Sequence, residues 1–234
     1  MKVSFVTLPA LPAVLSITAG YVDTSSFLAL HGLFTSHVTG NFVTLAASLA
    51  RDSADTIAKI LALPLFCIAV FITRIVRFRL EKSGLPVLGV WLTLQFALLL
   101  LAGFVALRYG PFPDANAIPA VATGLVLVVA MAIQNAFHRI HLSNYPPTTI
   151  MTGTTTQAML DLADLFHGAS EDAKQAAKAR VTNLLNGIVA FAIGCALAAV
   201  IYAHYDEWVF GGGPIFGGVT IVVYLRDKMQ KAAI

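Results

Sequence analysis

Asp23 is the residue of this chain whose placement most needs a chemical reason. It is the one carboxylate set well inside a long apolar stretch, within Gly20-Tyr21-Val22-Asp23-Thr24-Ser25-Ser26. A charged side chain at such a depth costs roughly 2.5–3.5 kcal/mol on insertion scales, so it must face a protected interior or hold a proton. Three roles fit: a proton carrier coupled to transport, a cation site, or a hydrogen-bond acceptor tying its helix to a neighbouring turn. The corresponding stretch later in the chain carries Gln134 and Asn135, so any proton coupling is one-sided.

A second pair of features shares a sequence signature. His37-Val38-Thr39-Gly40-Asn41 and Ile150-Met151-Thr152-Gly153-Thr154 each open a short segment, 40–50 and 153–166. At 1.5 Å per residue these cover roughly 16–21 Å, too little to cross about 30 Å of hydrocarbon, and both are expected to be re-entrant half-helices. A helix start at membrane depth presents unpaired N–H groups and the positive end of a dipole. Thr39 and Thr152 are placed to cap from the preceding position, and Gly40 and Gly153 permit close backbone approach. If the half-helices enter from opposite faces, Thr39, Gly40, Asn41, Thr152, Gly153 and Thr154 line a central site for an anion or a carboxylate-bearing solute. The bland alternative is a cap-and-turn closing each re-entrant loop, although the hydroxyls of Thr148, Thr149, Thr155 and Thr156 exceed what one cap requires.

Other polar groups carry weaker signals. Gln134, Asn135, Asn183 and Asn186 are candidates for lining a cavity, and with Gln95 they are as readily explained by hydrogen bonds between helices. His31 and His37 bracket the loop before the first half-helix, and His138, His141 and His167 sit near helix ends, without any metal-binding spacing. Neither a metal nor a cofactor is expected. Asp161 and Asp164, three apart, read as a solvated face. Gly211-Gly212-Gly213-Pro214 reads as a turn, and Cys67 and Cys195 as free thiols, since no CxxC accompanies them.

The elements that must hold these residues follow from composition. Of 234 residues 58% are hydrophobic and 12% charged, against roughly 45–50% and about 25% in a soluble domain. Six segments are long and apolar enough to span: 9–30, 57–79, 86–107, 117–138, 181–203 and 209–225. With both short segments re-entrant and the N-terminus cytoplasmic, only Arg51, Lys59 and Arg108 of the 15 Lys and Arg residues fall outside, as the positive-inside rule requires. Both termini are then cytoplasmic, and the basic run from Arg74 to Lys82 meets anionic headgroups. Gly40 and Gly153 are 113 positions apart, nearly half the chain. Residues 1–110 and 111–234 therefore read as two inverted repeats, each of three spans and one half-helix. The fold class is an all-α integral membrane protein in one membrane domain, with the lipid bilayer as its main partner, a small solute as the expected ligand and no nucleic-acid site. A homodimer suits so small a bundle, which has little protein behind any moving part.

The run Gly20-Tyr21-Val22-Asp23, continuing through Phe27-Leu28-Ala29-Leu30 and Phe34 to Val38-Thr39-Gly40-Asn41-Phe42-Val43, resembles the YoaK family of small bacterial inner-membrane proteins, a domain of unknown function. The resemblance is most specific over residues 20–50 and extends to length and span number. His37 stands where that family usually has a more hydrophobic residue. The resemblance implies a multi-pass protein of the bacterial inner membrane and no particular substrate.

The functional expectation is therefore a transporter or channel-like permease for a small anionic or carboxylate-bearing solute, with Asp23 as proton coupler, and not an enzyme. The main alternative is a non-transporting sensor, assembly factor or lipid-binding scaffold. An intramembrane enzyme using Asp23 with His31 or His37 would need a nucleophile with an oriented base, and the sequence shows none.

Overall fold

A computed structural model describes residues 10–51, 53, 55–149, 151–167 and 171–232. Lys2, Ile150 and the first residue of the expected 9–30 span lie outside that set. The described chain is all-helical: α1 Ala10–Ala29, α2 Gly40–Ala50, α3 Ile57–Lys82, α4 Val87–Tyr109, α5 Ile118–His141, α6 Met151–His167, α7 Glu171–Tyr205 and α8 Gly212–Ala232, with a 3-10 turn at Asp206–Gly211 between the last two. Four stretches are long and apolar enough to cross a membrane: 57–82, 87–109, 118–141 and 177–230, the last containing most of α7 and α8. Asp23, Thr24, Ser25 and Ser26 leave α1 the less apolar partner of these four.

Local chemistry sets the helix ends. After α1 the chain takes left-handed backbone at His31 (φ 54°) and Gly32 (φ 81°), and the Gly32 amide returns to the Phe27 carbonyl at 2.8 Å. That is the geometry in which a helix is closed by a residue free of a Cβ penalty. Gly84 (φ 68°) closes α3 in the same way, with Leu85 N donating to Leu80 O.

The helices are arranged around α1 and α5. Helix α1 packs against α7 and α8, and α5 against α3 and α4; α2 lies on α3, α6 on α7, and α4 on α8. Helix α5 is buried over 67% of its apolar window and α3 over only 22%, so α5 is an inner helix and α3 an outer one. The outer helices turn Ile60, Phe71, Phe104, Val200 and Val222 outward, each more than half exposed. Such an apolar exterior is stable where the surrounding solvent is lipid.

The α1–α7 contact is set by two glycines. A Cβ on Gly20 would lie 2.1 Å from the Phe191 carbonyl oxygen, and one on Gly194 would lie 2.1 Å from that of Ile17. Backbone therefore meets backbone, the close approach that small residues allow between membrane helices. The ring of the next residue, Tyr21, lies over Gly212 and its hydroxyl donates to Val209 O at 2.7 Å, fastening α1 to the bend between α7 and α8.

Candidate functional site

Helix α1 carries Asp23 six residues before its end, and the chain beyond it folds back until residues 35–37 reach the carboxylate. Asp23 is 4% exposed. Its Oδ1 accepts from the backbone amides of Thr35 (2.8 Å) and Ser36 (2.7 Å) and from the Thr35 hydroxyl (3.3 Å). Its Oδ2 accepts from His37 Nδ1 at 2.5 Å. An ionised carboxylate has only acceptors, so Nδ1 must carry the hydrogen. The second ring nitrogen of His37, Nε2, makes no hydrogen bond with the described residues.

The loop is pinned once more by Asn41, 2% exposed, whose Oδ1 accepts from Phe34 N (2.9 Å) and whose Nδ2 donates to Phe34 O (2.8 Å). The Phe34 ring rests on the first turn of α2, where a Cβ on Gly40 would meet it at 2.9 Å. The result is a cleft of about 410 Å³ lined by Asp23, Thr24, Phe27, Phe34, His37, Gly40, Phe191 and Cys195. Edge-on contact with Phe191, at 5.6 Å between ring centroids, holds His37 in place. The cleft thus offers one open imidazole nitrogen, a hydroxyl and a thiol between three aromatic rings.

Several expected site residues do something else. Thr39 does not cap α2: its backbone is already helical (φ −70°, ψ −22°) and its side chain makes no cap bond. Side-chain capping needs an extended backbone at that position. The amides of Gly40, Asn41 and Phe42 instead reach the carbonyls of His37, Val38 and Thr39. Thr152 likewise does not precede α6 but sits inside it, because the helix begins at Met151. Thr152 and Gly153 are exposed and Thr154 is buried, while Thr155 and Thr156 bond the carbonyls of Met151 and Thr152. Thr152, Thr155 and Thr156 border an open groove with Met151, Met159 and Leu160. Helix α6 alone lines this groove, while Gly40 of α2 lines the Asp23 cleft.

The second polar centre is built like the first. Gln134, fully buried, donates to Leu15 O (2.9 Å) and to the Thr148 hydroxyl (3.0 Å), and accepts from Gln95 at 2.6 Å. Asn135 donates to the Thr149 hydroxyl at 2.7 Å. Both therefore hold the loop before α6 and do not line the cleft, just as Asp23 holds the loop before α2. Asn186 is on the exposed face of α7, and the Asn183 side-chain oxygen is buried with no hydrogen-bond partner among the described residues. His31 donates to or accepts from nothing in the cleft; its Nε2 donates to Phe112 O at 2.7 Å.

Asp161 is a correction as well, because it is 2% exposed where a solvated face was expected. Arg180 grips it with Nε (3.0 Å) and Nη2 (3.1 Å), and Gln157 adds a third donor at 3.0 Å. Spacing on α6 alone could not reveal a partner nineteen residues away. At the corresponding end of α2, Ser48 is bonded to Lys59 Nζ (2.8 Å), which also pairs with Asp55. Each of the two short helices, α2 and α6, is thus locked to the helix after it by a cation. The Arg180 hydrogen bonds hold the Asp161 carboxyl below its ordinary range. A lowered folded-state value stabilises the fold above the free-aspartate value of 3.8, and that contribution is lost as pH falls through the folded value. Asp161→Asn should therefore lower stability by about 1 kcal/mol near neutral pH, modest because Arg180 is half exposed. The deficit should shrink toward zero below about pH 4, as read by thermal unfolding in detergent across a pH series.

The sequence did not single out Thr24, Phe27, Phe191 or Cys195, which build the walls of the cleft. The available signal was Gly20 on α1 and Gly194 on α7, a small-residue pair that brings the Cys195 turn against the Asp23 turn. Among the described residues no group of three His, Cys, Asp or Glu side chains could hold a metal ion.

A family model described as "Protein of unknown function (DUF1275)" matches residues 11–223, so the chain belongs to that family. No curated protein and no solved structure matches it.

Proposed function

We propose that this member of the DUF1275 family is a transporter or channel-like permease of the bacterial inner membrane for a small solute with a carboxylate or other anionic head. The cleft between α1, α2 and α7 would be its binding site. The observation that carries this reading is the placement of Asp23, Thr24 and His37 in a cleft between α1, α2 and α7, inside a bundle with an apolar exterior. Ionisable groups so placed are functional by default, since a purely apolar helix would insert at lower cost. A solute head would meet His37 Nε2 and the Thr24 hydroxyl, and its apolar body the rings of Phe27, Phe34 and Phe191.

The reading includes six spans in two inverted repeats with both termini cytoplasmic. The helix pairings support it: exchanging α1–α4 with α5–α8 turns the α1–α7 contact into α5–α3, α1–α8 into α5–α4, and α2–α3 into α6–α7. Asp23 and Gln134 holding the two re-entrant loops obey the same exchange. Transporters built on inverted repeats place solute sites beside such interrupted helices. The resemblance of residues 20–43 to the YoaK family supports the bacterial inner membrane.

Proteoliposomes test the reading with radiolabelled lactate, succinate and glutamate. Uptake above protein-free vesicles, saturable and reduced by Thr24→Val, is expected. Silence across that panel in vesicles holding folded protein would favour the scaffold alternative.

A further inference from the structure

We propose that His37, and not Asp23, carries a proton in this cleft, and that a carboxylate-bearing solute crosses together with the proton held on His37 Nε2. The inference rests on the transport reading and adds its coupling chemistry.

Asp23 is poorly built to exchange protons with a passing solute. Oδ1 is filled by two backbone amides and a hydroxyl, and Oδ2 by His37 Nδ1. A proton arriving at either oxygen must displace a donor that also pins the loop. The carboxylate is 4% exposed and reaches the cleft behind the imidazole. His37 has the opposite build. Its Nδ1–H is committed to Asp23, which fixes the ring and its tautomer, and its side chain is 36% exposed. The remaining nitrogen is an acceptor when the ring is neutral and a donor when it is protonated. A carboxylate behind a histidine favours the imidazolium electrostatically, and histidine is the side chain suited to this exchange near neutral pH.

The groups facing the ring from each neighbouring element are consistent with this role. Helix α1 supplies Asp23 and Thr24, the loop Phe34, α2 Gly40, and α7 Phe191 and Cys195. Asp23 is the one charged group among them and Cys195 the one other titratable group. Lys59 is spent on Asp55 and Ser48 and does not line the cleft.

The cycle balances in charge and protons. Neutral His37 takes a proton from water at Nε2, and the imidazolium then donates Nε2–H to the solute carboxylate while Nδ1–H stays on Asp23. After release on the other side the proton leaves to water, so one negative solute charge and one proton cross together. The net transfer is electroneutral for a monocarboxylate. Only N–H and O–H bonds form or break: an O–H of hydronium gives way to Nε2–H on loading, and Nε2–H gives way to an O–H of hydronium on release.

The test uses proteoliposomes and radiolabelled lactate, comparing net uptake driven by an inward proton gradient with lactate–lactate counterflow. In wild-type protein the gradient should raise net uptake about tenfold. His37→Gln can still donate to Asp23 but holds no exchangeable proton, and its ratio of gradient-driven uptake to counterflow should fall at least tenfold. An unchanged ratio in H37Q would overturn the proposal while leaving the transport reading intact. A wild-type protein silent toward lactate, succinate and glutamate alike would sink both. Nitrogen NMR of histidine-labelled wild-type protein in nanodiscs gives a readout that needs no variant. The His37 signal, assigned by its absence in H37Q, should show Nε2 gaining a proton between pH 8 and pH 5 with Nδ1 protonated throughout. An Nε2 in the same state at both ends contradicts the proposal.

Discussion

Asp23→Ala should cost on the order of 3 kcal/mol of stability or more and abolish uptake. The amides of Thr35 and Ser36 are buried and have Asp23 Oδ1 as acceptor, and each buried donor left unpaired costs about 1–3 kcal/mol. The loop that places His37 and Phe34 would lose its anchor on α1, so fold and site fail together. Asp23→Asn separates the two. Its carbonyl oxygen can still accept from both amides, which preserves most of the stability. Its amide nitrogen, however, is a donor facing His37 Nδ1, and it forces the imidazole into the tautomer with hydrogen on Nε2. D23N should therefore stay folded, within about 1–2 kcal/mol of wild type, while losing at least tenfold in proton-driven uptake. Thermal unfolding in detergent and flux in proteoliposomes together check both halves. A D23N protein with full gradient-driven uptake would show that the carboxylate does not set the state of His37.

The second large effect is expected at the α1–α7 crossing. A methyl on residue 194 would sit 2.1 Å from Ile17 O and 2.8 Å from Tyr21 N, and one on residue 20 would meet Phe191 O. These are backbone atoms that cannot rotate away, so the helices must part along their whole contact. Overpacking usually costs about 1–3 kcal/mol, and Gly194→Ala should reach or exceed the upper end. Its effect on function should be as large, because α1 and α7 are two walls of the cleft. Gly213→Ala is the control, since a Cβ there meets nothing closer than Leu99 at 3.6 Å and Val22 at 3.7 Å. Purified G194A should unfold well below wild type on heating and give little monodisperse protein, whereas G213A should behave as wild type. Equal stability of the two variants would mean that the crossing is looser than the glycine geometry implies.

The sequence revealed the long elements and misread several of their ends. Apolar length located the six long helices and gave α2 its bounds at 40–50, because hydrophobic runs are local signals. The inward orientation of Asp23 was also legible, from the cost of exposing a carboxylate to lipid. What stayed hidden was decided by partners distant in the chain. Thr39 looked like a cap, but the backbone before α2 is already wound and supplies its own carbonyls. Asp161 looked solvated until α7 brought Arg180 onto it. Asn41 looked like a ligand group, yet its side chain is used up on Phe34. His37 registered mainly as one of two histidines bracketing the loop before α2, because its bond to a carboxylate fourteen residues earlier depends on how that loop folds back. The wall formed by Phe191 and Cys195 depends on a helix crossing made by Gly20 and Gly194, which no single stretch of sequence displays.

The protein carries its own reporter for the central claim that this cleft is a hydrated solute site. Cys195 lines it, half-buried, and Cys67 is exposed elsewhere on α3. The most direct measurement is labelling of Cys195 in a Cys67→Ala background with a membrane-impermeant methanethiosulfonate, applied to each side of sealed vesicles in turn. The account predicts modification from at least one side, at a rate within about a hundredfold of an exposed loop cysteine, and slowed by Phe191→Trp, which narrows the mouth of the cleft. A Cys195 that stays unmodified from both sides, while the loop control reacts and detergent-unfolded protein labels fully, would contradict it and leave a dry scaffold in place of a transport site.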